Sequence, residues 1–355
     1  MNATEESDVV LFERRGGLGL ITFNRPAVLN SLTLDMMKAL DPFLDEWEAD
    51  PNVGAVVVQG TGERAFCAGG DLRALFNSRS NGDRAYRSNF YIAEYSQNRH
   101  VFRYRKPYVA LIDGIVMGGG VGLSVHGSHR VATERTLFAM PETGIGLFPD
   151  VGGSYFLPRL PGELGMYLGL TGVRLKAPDL IYAGIATHFV PSADLPRLIE
   201  ALATTDPSAG ESMVGRTIER FAREPGPALL TEHRDVIDRC FAKGSVESIV
   251  AALTAEASSW AAETVKTLST KSPTSLKLTF RELREGRHLD FEAAMTMEYR
   301  ICQFCMDGHD FFEGVRAAIL DKDNAPKWDP PTLAGVTPST LEQAFAPRPD
   351  DLHFD

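Results

Sequence analysis

Cysteine is scarce in this chain: four residues, at positions 67, 240, 302 and 305 of 355, are too few and too scattered for a disulfide framework. Cys302-x-x-Cys305 has no second pair to complete a zinc site. His126-x-x-His129 lacks both the spacing and the neighbouring glutamate of a metalloprotease helix, so no metal is expected. Basic charge is also short. Lys and Arg number 36 against 47 Asp and Glu, giving a net charge of -11 and a pI near 5.3. That balance argues against nucleic acid or an anionic membrane as partner, although a local basic patch would still serve an anionic small molecule. No apolar run approaches the ~20 residues of a membrane span. The opening residues, Met1 to Asp8, are polar and acidic rather than a signal peptide, so the expected location is the cytoplasm. Nucleotide motifs are missing too. Residues 114–127 hold no Gly-x-Gly-x-x-Gly, and no Gly-Lys pair exists for a Walker A loop. Gly122-Leu123-Ser124-Val125-His126 stops one residue short of a nucleophile elbow, because His126 stands where glycine is needed.

What the chain does have is Pro141 to Gly153, an apolar, glycine-rich and proline-bounded stretch carrying two acids, Glu142 and Asp150. On a continuous helix, their separation would be about 12 Å along the axis. Pro149, Gly144 and Gly146 argue against such a helix, and a bent segment can bring both acids to one pocket. Apolar surroundings raise carboxyl pKa values, which suits acid, base or nucleophilic work near neutral pH. Two glycine turns come earlier: Phe66-Cys67-Ala68-Gly69-Gly70-Asp71, and Met117-Gly118-Gly119-Gly120. Glycine serves where backbone approaches a ligand closely or takes φ > 0. An N–H from each turn would make an oxyanion hole, whereas either turn alone is ordinary chain punctuation.

The pattern along the chain is α/β at first and helical later. Strands are expected at 9–12 and 18–23, joined by Arg14-Arg15-Gly16-Gly17, and again at 53–58, 107–112 and 130–133. Thr33 caps a helix over 34–49 that Pro42 is expected to kink, and 84–104 reads as a second helix. Helix is expected to start at Leu123 after the second glycine turn. Strand, glycine turn and helix thus occur twice, which suggests a core with crossover connections. From about residue 154 the pattern is helical, over 161–183, 194–203, 211–222, 232–253, 256–269, 274–285, 290–304 and 308–319. The composition divides near 190–210, into an α/β part over 8–200 and a helical part over 201–355.

Longer words then show a family likeness. Asn24-Arg25-Pro26-Ala27-Val28-Leu29-Asn30, the two glycine turns and the Pro141-Glu142 segment resemble the crotonase (enoyl-CoA hydratase/isomerase) superfamily. The stretches from Lys106 to Gly127 and from Phe138 to Gly153, with Met297-Glu298-Tyr299-Arg300, are similar to its branch that hydrolyses 3-hydroxyisobutyryl-CoA in valine breakdown. The resemblance implies a crotonase-like (ClpP/crotonase) spiral of ββα units with a helical C-terminal region. It implies an acyl-CoA substrate, no cofactor beyond the coenzyme A that the substrate brings, and a homo-oligomer as a possible assembly.

Residue by residue, the resemblance assigns the oxyanion N–H groups to Gly70 and Gly119. Coenzyme A would lie along Arg25, Ala27, Val28 and Leu29 and along Ala68 and Gly69, with Arg25 as the phosphate partner. Hydratases use two glutamates. The second is Glu142, but Gly122 stands at the place of the first, which weakens the expectation of water addition to a double bond. Asp150 stands where hydratases carry glycine. The resemblance makes Glu142 the group that attacks the thioester or activates water, Asp150 the acid that binds the 3-hydroxyl, and Glu94 a further substrate-binding acid. Ser124 and His126 would then be packed helix residues. The remaining alternatives are a hydratase or isomerase on the same fold, a serine hydrolase using Ser124, and a binding scaffold without catalysis.

Overall fold

A computed structural model describes residues 9–354, and its chain forms two compact units, each assembled from three stretches. The first takes the chain up to Gly70, Ser96–Phe138 and Arg174–Leu229; the second takes Asp71–Tyr95, Ala139–Val173 and the chain from Leu230 onward. The units interleave in sequence, so they do not follow the linear division at residue 200 expected from composition. Met1 to Asp8, on which the expectation about targeting rests, lie outside the described residues.

Among the described residues, nine strands make two sheets. They are β1 (Val10–Arg15), β2 (Leu18–Phe23), β3 (Ala55–Gly60), β4 (Ala65–Cys67), β5 (Tyr108–Ile112), β6 (Ile115–Met117), β7 (His129–Ala132), β8 (Leu137–Ala139) and β9 (His188–Phe189). The larger sheet runs β1-β2-β3-β5-β7-β9 and the smaller β4-β6-β8. Only the β1–β2 hairpin of the larger sheet is antiparallel, and it is tighter than expected, with Arg14 and Arg15 inside β1. Every residue of β2 and β5 is buried, as befits central parallel strands covered on both faces.

In the first unit, alternate residues of neighbouring strands face one core: Leu18 and Leu20, Ala55 and Val57, Val109 and Leu111, then Val131. Leu198, Ile199 and Leu202 of the helix Leu195–Ala203 fill that face, joined by Val214 and Ile218 from the helix Gly210–Glu219. The helix Leu34–Ala49 starts where Thr33 accepts a bond from the Met36 N–H at 3.2 Å. It buries Met36, Met37, Leu40, Leu44 and Trp47 and remains one helix through Pro42.

The second unit is mainly helical. Its helix Leu164–Thr171 is buried on every side, and so lies inside the unit rather than on its surface. The helices Pro273–Gly286 and Phe291–Asp307 begin at Ser272 and Asp290, whose side chains accept from Ser275 and Ala293 N–H groups at 3.1 and 2.8 Å. Two expected helices are each divided. Gly172, at φ +63°, closes Leu164–Thr171 before a new helix runs over Ala177–Ala183. Ser245 likewise caps Val246–Ala255 after the helix Arg234–Phe241 has ended. Among the described residues, no helix is long and apolar enough to cross a membrane.

Candidate active site

In the first unit, the two glycine turns follow adjacent parallel strands, β4 and β6. After β4, Ala68 N–H donates to the Leu29 carbonyl at 3.0 Å, Gly69 takes φ +97°, and Gly70 forms a parallel bridge with Leu32. After β6, Gly118 takes φ +50° and the helix Gly119–Val125 begins at once. That start is four residues earlier than expected, because a run of glycines gives no helical signal. The turns touch. A Cβ on Gly69 would sit 3.1 Å from the Met117 carbonyl oxygen and 3.3 Å from the Gly119 nitrogen. As the first residue of its helix, Gly119 has an N–H without an intrahelical acceptor.

The segment expected to carry coenzyme A borders these turns. Pro26–Val28 is a single 3-10 turn, with Ala27 exposed and Val28 48% exposed. Leu29 and Asn30 follow in left-handed conformation. Arg25 Nη1 donates to the Ser31 carbonyl and hydroxyl at 2.5 and 3.2 Å, so the guanidinium braces its own loop. Ser124 spends its hydroxyl on the Gly120 and Val121 carbonyls at 2.9 and 3.0 Å, while the His126 ring packs edge-on against Phe102.

The second unit brings Glu94, Glu142 and Asp150 together and adds two acids that the sequence did not single out, Glu282 and Glu298. All five are buried, none more than 3% exposed. Glu142 opens the 3-10 turn Glu142–Ile145 after Pro141, and its Oε2 has no hydrogen-bond partner among the described residues. Burial, then the charge of Asp150, holds its carboxyl well above the ordinary range, with Lys271 pulling weakly the other way. Lys271 Nζ lies 3.4 Å from where a Cβ on Gly144 would be, beside the same turn. Asp150 Oδ2 accepts from the Tyr95 hydroxyl at 2.9 Å. Burial pushes Asp150 up to about 7 against that bond.

Glu94, its Oε1 unpartnered among the described residues, is raised by burial and then by Asp150, Glu142 and Glu298. Glu282, with neither oxygen partnered among the described residues, is raised by burial and then by Glu298, Asp150 and Glu142. So many acids in one buried cluster cannot all be ionised, and protons are shared among them. Glu298, unlike Glu94, Glu142 and Glu282, has both oxygens bonded. Its oxygens accept the Gly152 and Ser154 N–H groups, each at 2.9 Å, and the Ser154 hydroxyl at 2.5 Å.

Tyr95, Lys271, Glu282 and Glu298 were missed from sequence. A signal existed for Glu298: it interrupts the apolar row Phe291, Met295, Cys302 and Cys305 along its helix, where an acid must be buried. Cys302 and Cys305 are free, buried thiols whose ionisation burial opposes. Among the described residues, no group of three or more His, Cys, Asp or Glu could hold a metal ion.

Two sheets in this order, with paired glycine turns after β4 and β6, make up a crotonase-like α/β fold. Residues 18–345 match the family model described as Enoyl-CoA hydratase/isomerase, and the chain belongs to that family. It is 49% identical over 351 residues to the mitochondrial 3-hydroxyisobutyryl-CoA hydrolase of Danio rerio, covering 98% of this chain and 91% of that protein. For the Homo sapiens enzyme of the same name the identity is 48% over 347 residues, covering 96% and 89%. Among solved structures, a carnitinyl-CoA dehydratase from Mycobacterium thermoresistibile superposes with TM-score 0.92 at 41% identity, covering 98% of this chain and 99% of that one. An enoyl-CoA hydratase from Rhodobacter sphaeroides gives 0.89 at 40%, covering 98% and 100%. The two curated relatives are named as mitochondrial proteins, which overturns the cytoplasmic location expected from the polar opening residues.

Proposed function

We propose that this chain hydrolyses the thioester of 3-hydroxyisobutyryl-CoA to 3-hydroxyisobutyrate and coenzyme A, a step of valine breakdown. The observation that carries this reading is the pairing of Glu142 and Asp150 as buried, charge-coupled acids in one segment, while Gly122 leaves no acid at the other hydratase position. Near-50% identity to hydrolases of that name supports it. Water supplies the new C–O bond, the C–S bond breaks, and the proton from water ends on the departing thiolate.

Glu142 delivers the oxygen by one of two routes. Direct attack gives a mixed anhydride that water opens, and general-base action gives the acid in one hydrolytic step. Both need the ionised carboxylate, so the raised pKa of Glu142 places the rising limb of the pH profile above the ordinary carboxylate range. Asp150 accepts from or donates to the substrate 3-hydroxyl, with Tyr95 fixing its other bond. Glu94 is assigned a further substrate contact, and Gly70 and Gly119 the N–H donors to the thioester oxygen. Arg25, Ala27, Val28, Leu29, Ala68 and Gly69 are assigned to coenzyme A. The reaction needs no cofactor of its own, and a homo-oligomer belongs to the same proposal, to be checked by mass in solution.

The test is thiol release from a panel of acyl-CoAs. Cleavage of 3-hydroxyisobutyryl-CoA well above isobutyryl-CoA is expected, and absence of thiol release from every member would refute the assignment. A second reading, hydration of a short enoyl-CoA, is favoured by the name of the solved enoyl-CoA hydratase from Rhodobacter sphaeroides. Loss of crotonyl-CoA absorbance without free thiol would establish it.

A further inference from the structure

Immediately after Asp150 the chain turns through two consecutive left-handed residues, Val151 at φ +52° and Gly152 at φ +86°. Glycine takes this conformation freely. Valine, branched at Cβ, holds it only where its surroundings over-determine it. Glu298, reaching in from the helix Phe291–Asp307, supplies that constraint: the Gly152 N–H binds Oε2, while the Ser154 N–H and hydroxyl bind Oε1. Both Glu298 and Ser154 are fully buried, so water does not compete for these bonds. The turn closes on Asp150 itself, whose carbonyl accepts from Gly153 N–H at 2.8 Å. Burial pushes Glu298 up to about 8 against its three donors, so it sits in this place at an electrostatic cost.

We infer that Glu298 is a positioning residue that clamps the left-handed turn 151–154, fixes where Asp150 presents its carboxyl, and so sets the preference for a 3-hydroxylated acyl group. The inference rests on the reading of Asp150 as the hydroxyl-binding acid. Glu298 touches no reacting atom in this scheme. Its carboxylate is matched to the Gly152 and Ser154 N–H groups that follow Val151, a task that an amide of the same size cannot perform with both ends.

The test compares kcat/KM for 3-hydroxyisobutyryl-CoA and isobutyryl-CoA in the full chain, with a thermal melt of every variant. Glu298→Gln is expected to lower the hydroxylated substrate about thirtyfold and the plain one less than about threefold, collapsing the preference. Adding Val151→Gly to Glu298→Gln is expected to restore most of the preference, because glycine takes the turn without a clamp. Val151→Gly alone should leave it near wild type. A general loss of packing would lower both substrates together and would not be rescued in preference at position 151. Asp150→Asn separates the two layers. If it collapses the preference while Glu298→Gln lowers both substrates equally, the clamp is wrong and the hydroxyl reading stands. If Asp150→Asn leaves the preference intact, the reading beneath the clamp fails, and the clamp with it. Should Glu298→Gln not fold, Ser154→Ala decides. About a threefold loss confined to the hydroxylated substrate supports the clamp, and an equal effect on both substrates overturns it.

Discussion

Replacing Glu142 with glutamine separates chemistry from stability. The carboxyl is 3% exposed, one of its oxygens has no partner among the described residues, and burial together with Asp150 keeps it protonated well above the ordinary range. That shift favours the neutral acid in the fold, and an amide of nearly the same shape takes its place at little cost. It also removes one member of a crowded acid cluster, so the melting temperature is expected to stay within about 2 °C of wild type or to rise.

Activity should move the other way. The amide can neither attack the thioester carbon nor take a proton from water, and a loss of about a thousandfold in kcat is expected, about 4 kcal/mol of transition-state stabilisation. The assay is thiol release from saturating 3-hydroxyisobutyryl-CoA beside a thermal melt of the same preparation. Retention of more than about a tenth of kcat, a loss under about 1.4 kcal/mol, would remove Glu142 from the chemical step. Loss of activity with a collapsed melt would make it a structural acid instead.

Four further outcomes follow from the same geometry. Gly119→Val should lower kcat/KM by about a hundredfold or more in a folded protein, since a branched side chain would disturb the N–H assigned to the thioester oxygen; near-normal turnover would make this turn ordinary punctuation. Gly120→Ala should instead unfold the chain at lower temperature, because its Cβ would lie 2.2 Å from the Cys67 carbonyl oxygen. Lys271→Met removes a cation that lowers the pKa of Glu142, so the rising limb of the kcat/KM profile should shift to higher pH; an unmoved limb would exclude that coupling. Stability should fall as pH rises. Asp150 and Glu298 are raised in the folded chain to about 7 and about 8, so their contribution is complete below the unfolded carboxylate range. It is lost as pH climbs through those values, which denaturant melts between pH 4 and pH 9 would detect.

The sheet was legible because its strands are short β-branched or aliphatic runs bounded by breakers, as in Val56 to Val58 between Pro51 and Gly60. The glycine turns were legible as turns. That they abut, Gly69 against Gly119, depends on β4 pairing with β6, and no local pattern encodes that pairing. Gly119 as the first residue of a helix was hidden by its composition. Glu142 and Asp150 stood out because they interrupt an apolar, glycine-rich segment. Glu282 and Glu298 did not, since an acid on a helix is usually solvated; only the buried row on either side of Glu298 distinguishes it. The interleaved units lay beyond composition altogether, since which stretches gather together is decided by contacts distant in sequence.

The most direct test of the central claim follows a single substrate in one cuvette. 3-Hydroxyisobutyryl-CoA is mixed with the purified chain, and free thiol and enoyl-thioester absorbance are read together. Hydrolysis predicts one equivalent of thiol per acyl-CoA consumed, with no rise in enoyl absorbance. Appearance of the enoyl thioester without thiol would mean that the chain removes water from its substrate rather than adding it to the thioester, and would contradict the proposal.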